Sequence, residues 1–290
     1  MAKPKKKVNS AYADAWRRLK KNKVAMVSMV VIILLILMAV FADVIVDYSA
    51  AVTQSAADKL AKPSVAHWFG CDGMGRDLFA RIIHGSRISL LLGFGTTAIT
   101  TIVAVILGTT AAYYGGKFDS LLMRAFDILI SIPSVLLALA ISAGFGSGIV
   151  QLVCAIAIGQ LASFTRVIRS AVLNLVDQEY IEAERALGLN DARIIMTHII
   201  PNAMGTILVQ ATMQVARNIL MGALLSFLGL GAPIPTPEWG QIASDGIGSL
   251  RYTGHIVIFP TIFITITALS INLFGDGLRD ALDPRLKGKA

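Results

Sequence analysis

Few residues in this 290-residue chain are typed and spaced for chemistry. Gln210, Gln214 and Arg217 fall at i, i+4 and i+7, so on a helix they share one face. They interrupt an apolar run, where an unpaired charge is costly. A polar row of this kind predicts a face turned towards a cavity or a protein neighbour. Three readings stay open for Arg217: it lines a cavity and attracts a carboxylate, it pairs with an acidic or carbonyl group, or it snorkels to an interface. The second polar group is Asp177–Asn202, DQEYIEAERALGLNDARIIMTHIIPN. Here Glu182-Ala183-Glu184-Arg185-Ala186-Leu187 is a run of helix formers. Gly188 stops that helix, because glycine alone takes a left-handed cap cheaply. Asn190 or Asp191 caps a second short helix over Ala192–His198, and Pro201 ends it. Helix, glycine break, helix is a shape for presenting a surface.

Catalytic and metal chemistry is not written here. Gly115-Gly116-Lys117 is followed by Phe118, so no phosphate-binding loop exists. There is no H-E-x-x-H, and His67, His84, His198 and His255 fall at loops or helix ends, away from any Ser–His–Asp set. Cys71 and Cys154 lie far apart and suggest neither a disulfide framework nor a metal site. The expectation is a non-catalytic chain with no metal and no cofactor of its own.

The elements that hold these residues are apolar helices, and the predicted class is all-α, polytopic, with six transmembrane helices. The chain is 55% hydrophobic and 15% charged, well below the roughly 25% charge of a soluble domain. Spans are expected at about 24–45, 88–112, 125–144, 149–166, 203–230 and 252–276. Residues 1–23 form an amphipathic segment, with Tyr12, Trp16 and Leu19 on one face and Ser10 as N-cap, suited to an anionic leaflet. A cleaved leader ending at Val40-Phe41-Ala42 fits poorly, because its apolar core is too long and further spans follow. An external loop covers 46–87, with Gly75–Ser86 expected as a helix along the outer surface. Tyr113–Met123 is read as a short inner turn, and Pro133 as a kink near the start of the third span. Gly144-Phe145-Gly146-Ser147-Gly148 divides thirty-eight charge-free residues into the third and fourth spans. A second external loop covers 231–251, where Pro233, Pro235 and Pro237 suggest a stiff extended segment. A basic tail, 281–290, ends the chain.

Nineteen Lys or Arg fall on the segments that are inner if the N-terminus is inside, and six on outer ones. That bias predicts cytoplasmic termini and a cytoplasmic loop at 177–202. The net charge of +8 thus follows membrane topology, and no basic, aromatic-interleaved domain points to nucleic acid.

The pattern Glu-Ala-x-x-x-x-Gly, twelve residues, then Pro resembles the coupling loop of importer-type ABC permeases. The stretches GCDGMGRDLFARIIHGSRISLLLG, AYYGG, SFLGLGAPIPTPEWG and NLFGDGLRDALDPRLK look like the second permease subunit of dipeptide and oligopeptide importers. Two departures fall inside the loop: Glu184 stands where the family has a second alanine, and His198 and Ile200 stand where it has isoleucine and leucine. The resemblance implies a bacterial inner-membrane permease, half of a heterodimeric pore. ATP and magnesium would be bound by two separate ATPase subunits, and cargo delivered by an extracytoplasmic binding protein. It implies contact of Glu182, Ala183, Arg185, Leu187, Gly188, Asn190 and Asp191 with an ATPase, and a pathway near Gln210, Gln214 and Arg217. Relatives of this pattern handle dipeptides, longer peptides, glutathione-like peptides and nickel chelates. An ATP-independent channel or secondary transporter is the alternative of another class, and an intramembrane enzyme lacks paired catalytic groups.

Overall fold

Six apolar stretches need six ways to bury backbone, and helices are the form that satisfies every N–H and C=O within one segment. A computed structural model describes residues 11–146 and 148–282. Among them lie fourteen α-helices and no strand. The described residues open with α1 (Ala11–Lys21), followed by α2 (Lys23–Val40). Two short helices, α3 (Ala42–Ile45) and α4 (Tyr48–Val52), lead into the first long loop, and α5 (Leu78–Leu90) and α6 (Thr96–Tyr114) follow it. Then come α7 (Gly116–Ser131), α8 (Ser134–Phe145) and α9 (Ile149–Val176). The polar loop carries α10 (Glu179–Ala186) and α11 (Asp191–Ile194), ahead of α12 (Ile200–Leu225). The chain closes with α13 (Trp239–Asp245) and α14 (His255–Leu282).

Five helical stretches are long and apolar enough to cross a bilayer, and α7 with α8 makes a sixth that bends by 89°. The bend falls at Ile132-Pro133, where proline removes an N–H and pushes its predecessor into extended backbone. It is a break between two helices, sharper than the expected kink. The expected inner turn at Tyr113–Met123 is also mostly helix: the turn is confined to Gly115, and α7 starts at Gly116.

Two helices are far longer than the spans the sequence suggested. Leu78–Tyr114 runs as one 37-residue helix and Asp191–Leu230 as one of 40 residues. At 1.5 Å per residue both exceed a hydrocarbon core of roughly 30 Å, so their ends stand outside it. Wide π-type turns at Leu91–Gly95 and Ile195–Ile199 join the parts, and Ser226–Leu230 ends the second stretch with Gly229 at a φ of +84°. Pro201 therefore does not end a short helix. The wide turn just ahead of it relaxes the proline's clash with the preceding turn, and the helix continues.

The long elements pack as a bundle in which α9 lies along α6, and α12 and α2 lie along α14. Gly108 marks the closest crossing: a Cβ there would sit 2.9 Å from the Thr165 carbonyl oxygen, so only glycine lets α6 and α9 meet. On α1, Leu19 is buried with Ala15 against Ala25 and Ala281, while Trp16 is exposed. The expected apolar face is thus split between the protein and its surroundings; the Ser10 cap lies outside the described residues.

The two loops expected to be external are more closely packed than the sequence suggested. Gly75–Ser86 does not lie along a surface: Arg76, Leu78, Arg81 and Ile82 are buried, and the helix is the first part of α5. Gly231–Gly240 is a turn, closed by the Thr236 N–H donating to the Pro233 carbonyl, rather than an extended strut. It leads into α13, whose Trp239 is fully buried and donates its indole N–H to the Ile82 carbonyl at 2.9 Å.

Candidate functional site

The loop between α9 and α12 is built from inside by isoleucines. Ile181, Ile194 and Ile199 are fully buried with Tyr113, Ile168, Val172 and Val176. Burial of three such side chains contributes about 5–9 kcal/mol before entropy, enough to hold a short polar helix in one pose. α10 ends in a two-bond glycine cap: the Gly188 N–H donates to the Arg185 carbonyl at 3.0 Å, and the Leu189 N–H to the Glu184 carbonyl at 3.2 Å. Gly188 has φ +76°, as its sequence context predicts. Asn190 is the cap of α11, its side-chain oxygen accepting from the Ala192 N–H at 2.9 Å.

The seven expected contact residues come together on this loop. Glu182, Ala183, Arg185, Leu187, Gly188 and Asn190 are exposed, and Asp191 is half-buried. Leu187 is 78% exposed. Tyr113, at the end of α6, joins the loop from below. Its hydroxyl donates to Asp191 at 2.8 Å and accepts from Arg185 Nε at 3.3 Å, and the guanidinium stands 4.5 Å from its ring centre. α10 is therefore tied to α6 as well as to α9 and α12. Glu184 and His198 face each other across the glycine break at 3.0 Å. Their separation of fourteen positions gave no signal of this pairing.

On α12 the expected polar row divides. Gln214 is buried and donates to Asn218 at 3.0 Å, and Asn218 donates to the Thr97 hydroxyl of α6 at 2.9 Å. That chain is a helix-to-helix clasp, not a cavity wall. Gln210 is half-buried and Arg217 is exposed, with no ion pair for Arg217 among the described residues. Asn218 is the member that sequence spacing missed: it lies four residues beyond Gln214, on the inward side of the row.

The end of the bundle around α5 and α13 carries a buried ionic knot that the sequence did not reveal. Asp72 accepts from the Arg76 Nε at 2.7 Å and from Arg81, and Asp245 of α13 approaches both arginines at 3.3 Å. Burial raises the Asp72 carboxyl, but Arg81, the Arg76 backbone N–H and the Arg76 guanidinium outweigh it and hold it below the ordinary carboxylate range. Glu238, capping α13, is fully buried; burial pushes its pKa up, against the N–H groups of Gly240 and Gln241 and the Ser89 hydroxyl.

The comparisons with known proteins agree with this architecture. The family model described as a binding-protein-dependent transport system inner membrane component matches residues 104–288. The chain belongs to this permease family. A second model, the N-terminal TM domain of oligopeptide transport permease C, matches residues 10–63 of the permease. The permease is 44% identical to the dipeptide transport system permease protein DppC of Alkalihalophilus pseudofirmus, over 96% of this chain and 91% of that one. It is 42% identical to the oligopeptide transport system permease protein OppC of Bacillus subtilis, over 97% and 92%. Against the glutathione transport system permease protein GsiD of Escherichia coli it is 40% identical, over 97% and 93%. Among solved structures, the inward-facing MetNI methionine ABC transporter matches with a TM-score of 0.57 at 18% identity, covering 70% of this chain and 96% of that one, a likeness of fold. The permease is a C-type, multi-pass subunit of an ABC peptide importer in the inner membrane.

Proposed function

We propose that this permease forms half of a peptide translocation path and converts ATP-driven closure of two ATPase subunits into rotation of its helices. The observation that carries the reading is the loop of α10 and α11: a rigid, isoleucine-anchored surface with exposed Glu182, Arg185, Leu187 and Asn190, tied directly to α6, α9 and α12. The groove of an ATPase is the partner such a surface fits. A homologous permease completes the pore, and a binding protein outside delivers cargo. Both termini and this loop belong in the cytoplasm in this reading, which the lysine and arginine bias supports.

Dipeptides and oligopeptides are the cargo class, on the similarity to the dipeptide and oligopeptide permeases. Arg217 stands on the open face of α12, where a charge at mid-depth costs about 2.5–3.5 kcal/mol unless it meets water or an anion. A water-filled pathway between two permeases supplies both. The test has two parts. The permease is purified and its partners identified; absence of an ATPase would overturn the coupling assignment. The complex is then reconstituted with its binding protein and supplied with dipeptides, longer peptides and glutathione. Uptake driven by ATP is expected for the first two. Arg217→Gln is expected to lower uptake several-fold in an assembled complex, and unchanged uptake across acidic, neutral and basic peptides would remove Arg217 from the pathway.

A further inference from the structure

One face of α12 is open along its whole length, and its chemistry changes halfway. Asn202, Thr206, Gln210, Met213 and Arg217 repeat at spacings of three and four and so lie in one stripe. All are exposed or half-buried. Beyond Arg217 the same stripe continues as Leu220, Leu224 and Leu228, 48%, 39% and 50% exposed. The half nearest the coupling loop is therefore polar, and the far half is apolar. Arg217 sits at the junction.

The polar half borders a cavity of about 360 Å³, lined by Asn202, Thr206, Gln210, Leu282 and Arg279 of α14. Arg279 is exposed in the last turn of α14, at the end of the bundle beside the coupling loop. Gln210 is two helical turns below Arg217, about 10.5 Å along the axis. That is the length of roughly three residues of extended peptide. Arg279 is the cation of this cavity, and the amide and hydroxyl groups of Asn202, Thr206 and Gln210 lead from it along the stripe towards Arg217, with no carboxylate among the described lining residues.

Resting on the reading of this chain as a peptide permease, we infer that Arg279 is a second cationic station in the pathway, which receives the carboxylate of a peptide after Arg217 as the cargo moves towards the coupling-loop side. The leucine half of the stripe is the dry section on the far side of Arg217. A guanidinium suits this role, because it binds carboxylate through a planar pair of N–H donors while staying charged in any local field. Two such groups in series let an anionic group leave one site for the next without crossing an uncompensated stretch. They also bias the exit against a cationic side chain.

The experiment uses the whole reconstituted complex with its binding protein and compares Ala-Glu, Ala-Ala and Ala-Lys as cargo. The reading is the uptake ratio of Ala-Glu to Ala-Lys within each preparation, so a loss of assembled complex cancels. Arg279→Glu is expected to lower this ratio by about five- to tenfold, the size of a single charge interaction across a partly hydrated cavity. Arg279→Gln should shift it in the same direction by less, and Arg279→Lys should restore most of it. An unchanged ratio in Arg279→Glu and Arg279→Gln, with uptake still measurable, overturns the inference. If Arg279→Glu gives no complex, Arg279→Gln decides alone. Failure of the wild-type complex to move any of the three peptides would instead overturn the peptide reading itself.

Discussion

Asp72 is the residue whose removal the end of the bundle around α5 and α13 should tolerate least. Its side chain is 1% exposed. One carboxylate oxygen accepts from the Met74 and Arg76 backbone N–H groups at 2.8 and 3.0 Å, and the other from Arg76 Nε at 2.7 Å and from Arg81. Asp72→Ala deletes all four bonds. It leaves two guanidiniums, each 2% exposed, with only Asp245 at 3.3 Å as counter-charge. Removing one partner of a buried pair costs about 3–5 kcal/mol, because the charge left behind stays desolvated. At about 2–4 °C per kcal/mol, the apparent melting temperature of the purified permease should fall by about 10 °C. Asp72→Ala combined with Arg81→Met should recover part of the loss, since one stranded charge goes with its partner. The sign of the pH dependence follows from the lowered pKa of Asp72. Its contribution is full above the unfolded carboxylate value of about 3.9 and is lost as pH falls through the lower folded value. Below about pH 3.9, therefore, wild type should begin to lose stability that Asp72→Ala has already lost, and the two melting curves should converge as pH falls further. A melting temperature for Asp72→Ala within about 2 °C of wild type at neutral pH would refute the account of the knot.

Gly188→Val forces a β-branched residue to a φ of +76°, at about 1–2 kcal/mol, and reshapes the α10 cap. ATP hydrolysis in the reconstituted complex should then lose its link to uptake, and normal uptake by this variant would contradict the loop's role. Glu182→Cys, exposed on α10, should resist a membrane-impermeant thiol reagent in intact cells and react after lysis. Labelling from outside would show the orientation to be reversed.

The number of apolar stretches, the glycine-broken loop and its exposed residues were legible in the sequence because each depends on local chemistry. Thirty-odd apolar residues without charge have one cheap environment, and Gly188 announces a left-handed cap by its type and neighbours. The Asn190 cap was readable for the same reason. Helix ends were not. Leu78–Tyr114 and Asp191–Leu230 run on because wide turns absorb Pro201 and the glycine-bearing segment Leu91–Gly95, a compensation set by packing against neighbouring helices. Likewise Gln214 and Arg217 look alike in a row of polar residues. Only the position of Thr97 on α6 turns Gln214 and Asn218 inward and leaves Arg217 on the open face. The pairings of Asp72 with Arg81 and Asp245, of Glu184 with His198, and of Tyr113 with Asp191 join segments that local spacing treats as unrelated. Local propensity and hydropathy therefore determined which stretches become helix and which residues reach the surface of the loop. The partners of buried charges and the facing of each stripe were decided by tertiary packing, because they depend on which helices meet and at what height.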